Sequence, residues 1–350
     1  MKFDYCIGNP PYQGDGNTQQ VYPLFYIAGR QIANCVEMVF PSAWQAPKNG
    51  CGLSKTNKPE YKEDKRIVCI DNRDDCFPNI IIAGSVMKVN IIMWKQGYDN
   101  GLNGKQKIYT NGKNPEIKKL LCSAEDIEKP AEIEQLAKLV TNRSDFTGMD
   151  AITSVCKPYG LGTDVTKAYA KYGLPPLRQE RLSDSDIKVY DRNKGKLEQW
   201  YIPEDYPLPR VGNNIHLYKV MIVQAWGDMT KRYVGGSYSD ILIAEPNSVC
   251  TQTFMESGGF KDKVIAIKHA KYIMTKFCRA LLFRNKDNIL ITRGKWKSVP
   301  IQTYEEDFWN GDIDEIDNAL MDKYNVPEHT RQYVFENIQP RTMDNIKIMF

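Results

Sequence analysis

The chain has only three histidines, and its nine cysteines stand apart with no Cys-x-x-Cys pair among them. That leaves no short-spaced ligand set of the kind zinc sites use, so no metal is expected, and the thiols read as reduced and mostly buried. No stretch reaches the roughly 18 apolar residues of a membrane span. Met1-Lys2-Phe3-Asp4 runs straight into a strand-like segment, without the charged-then-apolar layout of a signal peptide. A cytoplasmic, folded protein is therefore expected, with no membrane partner. No internal repeat is present. What the chain does have is 350 residues with 42% hydrophobic content, enough to bury one large core or two moderate ones.

Charge is unevenly spread. Residues 1–150 carry a net +1, residues 151–300 a net +10 and residues 301–350 a net −7. The basic middle block is interleaved with Tyr159, Tyr169, Tyr172, Trp200, Tyr201, Tyr218, Trp226 and Tyr233. Such a block suits a surface that neutralises phosphates and stacks against bases, and equally a solvated basic face over core aromatics. Charge alone does not choose between them.

The first hundred residues alternate β-branched runs with helical stretches, which predicts an α/β layer arrangement. Phe3-Asp4-Tyr5-Cys6-Ile7-Gly8 reads as a buried strand stopped by Asn9-Pro10-Pro11. A helix follows over residues 22–34, with Leu24, Phe25, Ile27, Ala28 and Ile32 as its apolar face, and then a strand over 35–40. Strands are predicted at 66–70 and, antiparallel at a sheet edge, at 85–94. Residues 95–115 read as an exposed hairpin or loop, and 115–139 as one or two helices. A domain boundary is placed near residue 145. Beyond it come short strands around 188–190, 219–223 and 240–244, one helix over 263–283, and acidic amphipathic helices over 313–338.

The most specific feature is Asn9-Pro10-Pro11-Tyr12. Alone, the tetrapeptide is also what an ordinary proline-rich turn looks like, so its context decides. Here a strand delivers it to the carboxyl edge of an α/β sheet, where such folds bind their ligands. An adenine amino group is a poor nucleophile because its lone pair is delocalised into the ring. The Asn9 side-chain oxygen and the Pro10 carbonyl could each accept one of its N–H bonds and leave the lone pair aimed at a methyl donor. The two prolines stiffen the backbone that carries those acceptors, and Tyr12 offers a face for an extruded base.

The segment Phe3 through Gln13 resembles the catalytic motif of adenine-N6 DNA methyltransferases, particularly those in bifunctional restriction-modification proteins. Tyr22-Pro23-Leu24-Phe25-Tyr26 is similar to the family's next helix, residues 36–44 to its next strand and turn, and residues 75–94 to the last strands of its catalytic sheet. Residues 275–282 and 296–300 are similar to segments of its DNA-recognition half. The resemblance implies an α/β fold: a partial Rossmann-like methyltransferase sheet over 1–145, then an irregular α+β target-recognition domain over 146–350 with a helical tail. It implies methyl transfer from S-adenosylmethionine to a flipped adenine, with Asn9, Pro10, Pro11 and Tyr12 as the catalytic set and Asn9 also at the edge of the cofactor pocket.

Two departures qualify that expectation. The family's glycine-rich cofactor turn and following acidic residue precede the catalytic motif, and nothing before Asn9 supplies them here. Gly160-Leu161-Gly162, Gly235-Gly236 and Gly258-Gly259 lack the strand-to-helix setting and read as plain turns. The cofactor site is therefore expected to be incomplete, with an N-terminal methylase fragment or a restriction subunit as partner. An aromatic that holds the flipped base is also expected near Met87-Lys88-Val89; Phe77 is the candidate in its place. Arg178, Arg181, Arg210, Lys231, Arg232 and Arg293 are candidates for contacts to double-stranded DNA. A catalytically inactive DNA-binding remnant or specificity module is the alternative, while a small-molecule or protein methylase fits the basic block poorly.

The charge distribution predicts salt-sensitive duplex binding, since each neutralised phosphate releases counterions. Titrating labelled duplex from low to moderate salt should show affinity falling steeply. Salt-independent binding, or none at low salt, would remove residues 151–300 from that role.

Overall fold

A computed structural model describes residues 2–14, 20–45, 58–77, 79, 81–82, 85–86, 88–122, 129–224, 239–286 and 290–350. The chain divides into two compact units, Met1–Glu128 and Lys129–Phe350. The division falls before, not after, helix Ala131–Thr141. That helix buries Ile133, Leu136, Ala137 and Val140 in the core of the second unit, which is why the boundary expected near 145 lies too late.

In the first unit, strand β1 (Phe3–Gly8) is followed by helix α1 (Tyr22–Ile32) and strand β2 (Ala33–Pro41), which pairs parallel to β1. This is the β-α-β unit the sequence predicts. A 3-10 turn (Ser42–Gln45) and a short helix α2 (Pro59–Lys62) precede β3 (Ile67–Arg73). The strand expected over 85–94 is two pieces, because a small pair β4 (Ile81–Ile82) and β5 (Ser85–Val86) ends before β6 (Val89–Lys95) begins. Strands β7 (Lys105–Thr110) and β8 (Lys113–Lys119) form a hairpin. The helix predicted from 115 is thus a strand there, with Ile117 exposed, because Asn111 and Gly112 turn the chain back at positive φ.

The sheet runs in the order β1-β2-β6-β3-β7-β8. β6 is antiparallel to both its neighbours, β2 and β3, so it is a central strand and not the edge strand expected. β1, β2, β3 and β7 run the same way and end at one edge of the sheet. One face is covered: Val36, Met38, Phe40, Ile70, Ile92 and Trp94 pack there with Tyr22 and Tyr26 of α1. A Cβ at Gly29 would lie 2.9 Å from the Met38 Cε and 3.3 Å from the Val36 Cγ1, so α1 packs closely on β2 and a side chain there would displace the end of Met38.

Two expectations about burial are corrected. The face of α1 that packs on the sheet is Tyr22, Pro23, Tyr26 and Gly29, while Leu24, Phe25 and Ile32 are exposed. β1 is an edge strand, with Phe3, Tyr5 and Ile7 67–72% exposed on the face away from α1. Apolar spacing marks helix and strand here, but it does not say which apolar face the chain itself covers.

A buried carboxylate holds the layer together. Asp64 accepts from Arg30 Nη2 at 2.7 Å, Arg66 Nε at 2.8 Å, the Arg66 backbone N–H at 3.0 Å and Trp94 Nε1 at 3.0 Å. The Arg30 guanidinium also lies over the rings of Tyr26, Tyr61 and Trp94, 4.7–5.5 Å from their centroids.

The second unit begins with α3 (Ala131–Thr141) and the short α4 (Val165–Ala168). β9 (Ile187–Asn193) and β10 (Lys196–Ile202) form a hairpin. After β11 (Tyr218–Val223) and β12 (Ile241–Ala244), the short β13 (Ser248–Cys250) joins β9 to complete a three-stranded sheet. β14 (Phe254–Phe260) follows, then α5 (Lys263–Met274) and α6 (Lys276–Arg284). α7 (Ile313–Lys323), α8 (Glu328–Asn337) and β15 (Ile346–Ile348) end the chain, and β14-β11-β12-β15 make a four-stranded sheet. The single helix expected over 263–283 breaks at Thr275, whose backbone is extended and whose Oγ1 caps α6 by accepting from the Cys278 N–H at 3.1 Å. Asp317 of α7 completes that cap, accepting from the Lys276 and Phe277 backbone N–H groups at 2.7 and 2.8 Å.

Of the described cysteines only Cys250 and Cys278 are buried, fewer than expected, and Cys51 lies outside the described residues.

Asp64→Ala should destabilise the first unit by about 3–5 kcal/mol, the cost of leaving a buried cation, here Arg30, without its partner. Urea unfolding followed by tryptophan fluorescence would measure it. A loss under about 1 kcal/mol would show that Arg30 and Asp64 do not fix α1 on the sheet.

Candidate active site at the carboxyl edge of the sheet

Asn9 stands immediately after β1, exposed at the edge where β2, β3 and β7 also end. Pro10 behind it is buried. Val21 N–H donates to the Tyr12 carbonyl at 3.3 Å, and Gln13 bridges antiparallel to Gln20. Pro23 in the first turn of α1 fixes where the helix starts, since its missing N–H is one the helix leaves unpaired anyway. Both ends of the motif are thereby tied to secondary structure.

Tyr12 is half-buried. Its ring meets Tyr22 edge-on at 6.3 Å and 82°, Tyr22 stacks on Phe40 at 4.9 Å, and Phe40 meets Trp44 at 5.9 Å. This aromatic wall is mostly interior: Tyr22, Phe40 and Trp44 are buried, and Tyr12 is the ring of the row that is open at the edge. The Tyr12 hydroxyl is buried without a hydrogen bond of good geometry. Burial raises its pKa; the nearby Asn9 amide lowers it, and the Cys76 thiol adds to the rise. Asn9 and Cys76 are thus near enough to Tyr12 to act on its hydroxyl electrostatically. Phe77, next to Cys76, is half-buried. Val89 opens β6 and Lys88 precedes it, whereas Met87 lies outside the described residues.

Sequence reasoning passed over a polar cluster beside this wall. The cross-strand row Phe40, Asn90 and Asn72 ends at Thr110. Trp44 Nε1 donates to Asn90 Oδ1. Gln45 Nε2 donates to Asn72 Oδ1 at 2.6 Å and to Asn90 Oδ1 at 3.3 Å. Asn90 is fully buried, and its Nδ2 has no partner among the described residues. The one signal available was an amide inside the otherwise apolar Val89–Lys95 strand.

The candidate DNA residues of the second unit have varied settings. Arg178 Nη2 is engaged by Asp186 at 2.8 Å, and the same carboxylate accepts from the Leu182 and Ser183 N–H groups. Arg181 donates to the Ser183 carbonyl, Arg210 to the Lys157 carbonyl and Arg293 to the Asp150 carbonyl, and these three remain exposed. Lys231 and Arg232 lie outside the described residues, as do Trp226, Tyr233 and Gly235-Gly236.

The histidines are occupied. His269 is buried between Ser257 Oγ at 2.8 Å and Tyr304 OH at 2.5 Å, and burial lowers its pKa to about 3. His216 pairs with Asn247 and His329 with Gln135. No group of three or more metal-ligating side chains comes together among the described residues.

No protein-family model matches the chain. Over 126 residues it is 29% identical to a protein of Mycoplasma pneumoniae named as an uncharacterized adenine-specific methylase. That stretch is 33% of this chain and 29% of the relative. Among solved structures it is similar to the methyltransferase subunit of a type I restriction-modification system from Streptococcus thermophilus, with 14% identity and a TM-score of 0.23 over 34% of this chain and 29% of that one. It is also similar to the type IIG restriction endonuclease BpuSI, with 10% identity and a TM-score of 0.33 over 94% of this chain and 50% of that one. A third likeness is to the DNA-bound, ATP-dependent type ISP restriction-modification enzyme LlaBIII, with 11% identity and a TM-score of 0.34 over 73% of this chain and 24% of that one.

Because the Tyr12 hydroxyl has no good partner, Tyr12→Phe should melt within about 0.5 kcal/mol of the wild type. Tyr12→Ala, which removes the ring from the wall, should cost more. Thermal denaturation of both variants checks this; a Tyr12→Phe protein as unstable as Tyr12→Ala would mean the hydroxyl, not the ring, holds the motif.

Proposed function

We propose that this chain provides the target-base side of an adenine-N6 DNA methyltransferase of a restriction-modification system. The observation that carries the reading is Asn9-Pro10-Pro11-Tyr12 standing at the carboxyl end of a parallel strand, rigidly framed and flanked by an aromatic wall. The similarity to a protein named as an adenine-specific methylase points the same way over a third of the chain.

In this reading the Asn9 side-chain oxygen and the Pro10 carbonyl each accept one N–H of the amino group of an adenine drawn out of the duplex. Holding both hydrogens draws the nitrogen toward tetrahedral geometry and frees its lone pair for alkylation. Tyr12 stacks on the base, with Phe77 as the second aromatic, and the proton lost from nitrogen passes to water. The basic block over residues 151–300 of the second unit attracts the duplex, with Arg181, Arg210 and Arg293 among its exposed cations.

S-adenosylmethionine is the donor implied by the resemblance, and the described residues do not complete a site for it. A Cβ at Gly160 would sit 2.6 Å from Pro209 and one at Gly162 2.3 Å from the Tyr172 hydroxyl, so these glycines serve close loop packing. Gly258 and Gly259 lie within β14. Only Asn9 borders the place such a donor would occupy. The open edge of β1 suggests how the site is completed: further polypeptide pairs with that edge and brings the cofactor-holding groups.

Two measurements test the proposal. Calorimetry of the chain alone should show weak or no S-adenosylmethionine binding, and tight binding with turnover would overturn the incomplete-site reading. In a tritiated-methyl assay with the completing polypeptide, Asn9→Ala should lower the rate roughly 10²–10³-fold, taking loss of one preorganised hydrogen-bonding group as the analogue. Its stability and bulk DNA affinity should stay unchanged. Transfer at the wild-type rate would remove Asn9 from the chemistry.

A further inference from the structure

The six-stranded sheet ends in two outer strands of opposite character. β8 is exposed along its length and carries Lys113, Lys118 and Lys119 with Pro115 among them, the cations and proline that keep other strands from pairing. β1, at the other side, has no such guard. Its open face presents Phe3, Tyr5 and Ile7, 67%, 70% and 72% exposed, and Asp4 is its one charged residue.

α1 continues this apolar border on the covered face. A Cβ at Gly29 would touch Met38 and Val36 of β2 and, at 3.4 Å, the Cys6 Sγ of β1, so the helix lies over the line between the two strands, level with Cys6. Arg30 reaches inward across the sheet, to Asp64 and to the Trp94 ring of β6. At about 100° per residue, Phe25, Ala28 and Ile32 fall on the flank of α1 opposite Arg30. That flank faces out past β1, and all three of its residues are exposed.

A strand with this pattern is complementary to itself. Paired antiparallel about a dyad at Tyr5, it sets Tyr5 against Tyr5 of the second copy, Phe3 against Ile7, Asp4 against Cys6 and Lys2 against Gly8, so apolar meets apolar and no like charges stand opposite. The same dyad lays two α1 helices antiparallel on one face. With strands about 4.8 Å apart, their axes stand roughly 10–14 Å apart, and the small Ala28, level with Cys6, sits at the closest approach while Phe25 and Ile32 fill the gap. Phe3, Tyr5, Ile7, Phe25 and Ile32 leave on the order of 500 Å² open on each copy, taking about 200 Å² for a side chain of this size. Pairing covers part of that together with the strand's own backbone, which places the contact at the low end of specific interfaces.

We infer that two copies of this chain pair through β1 and α1 into a symmetric dimer whose two sheets run on as one. The strand used is the one that the proposed function gives to further polypeptide, so the dimer is a form in which the cofactor site stays incomplete. That consequence rests on the methyltransferase reading; the dimer itself does not.

Sedimentation equilibrium of the full chain over roughly 1–100 μM tests the inference, for the wild type, Tyr5→Lys, Tyr5→Glu, an equimolar mixture of those two, and Phe25→Glu. The wild type should pass from monomer to dimer within that range and go no further. Each Tyr5 substitution alone sets like charges against each other at the dyad, and Phe25→Glu does so on the helix flank, so each should raise the dissociation constant roughly 10-fold. Mixing Tyr5→Lys with Tyr5→Glu should restore the dimer, because opposite charges then meet, a rescue that misfolding of either variant cannot imitate. A wild type that stays monomeric overturns the inference and leaves β1 free for another polypeptide; one that grows past the dimer overturns it as well. A dimer indifferent to all three substitutions places the contact elsewhere, and a mixture that stays monomeric removes the dyad at Tyr5; either result overturns the pairing. If the Tyr5 variants do not fold, an undiminished dimer in Phe25→Glu overturns it. The methyltransferase reading stands or falls separately, on methyl transfer.

Discussion

The first unit depends on a carboxylate buried where water cannot screen it. Asp64 is 7% exposed and gathers Arg30 from α1, its neighbour Arg66 and the indole of Trp94 from β6. Each partner comes from a different part of the layer, so the ion pair fixes α1 against the sheet in one position. It is costly to bury such charges and more costly to separate them, which makes the arrangement close to all-or-none. The position of α1 in turn sets where Tyr22 stands, and Tyr22 is what Tyr12 packs against. The geometry at Asn9 therefore depends on a contact made at the other end of the helix.

Much of this layer was legible in the sequence. Short apolar and β-branched runs ended by prolines and polar residues located β1, β2 and the strands near 67 and 89, and period-3.6 spacing located α1. The motif was legible because prolines interrupt a strand sharply. The order of strands was not, since pairing between β2 and β6, or β3 and β7, is decided by packing across tens of residues. Nor was the exposure of Phe3, Tyr5, Ile7, Leu24 and Phe25: apolar periodicity marks faces suited to burial, and here they lie open. The amide cluster of Gln45, Asn72 and Asn90 was hidden for a related reason. Three amides far apart in sequence carry no common pattern until strand pairing sets them in a row.

The same edge combines two kinds of unfinished surface. On its covered side, the half-buried Tyr12 stands beside the exposed Asn9, backed by the buried rings of Tyr22, Phe40 and Trp44. Around β1 itself, exposed apolar residues flank backbone groups that no other described strand pairs, a combination that isolated soluble domains generally avoid. Both features follow from a sheet whose chemistry-bearing strand is also its outermost strand.

The central claim is that Asn9 and Pro10 act on the amino group of adenine. Nucleoside mass spectrometry of DNA incubated with S-adenosylmethionine, this chain and the polypeptide that completes its sheet tests it most directly. The account predicts N6-methyldeoxyadenosine with Asn9 in place and none above background with Asn9→Ala. N4-methyldeoxycytidine, or N6-methyldeoxyadenosine at equal yield from both proteins, would contradict it.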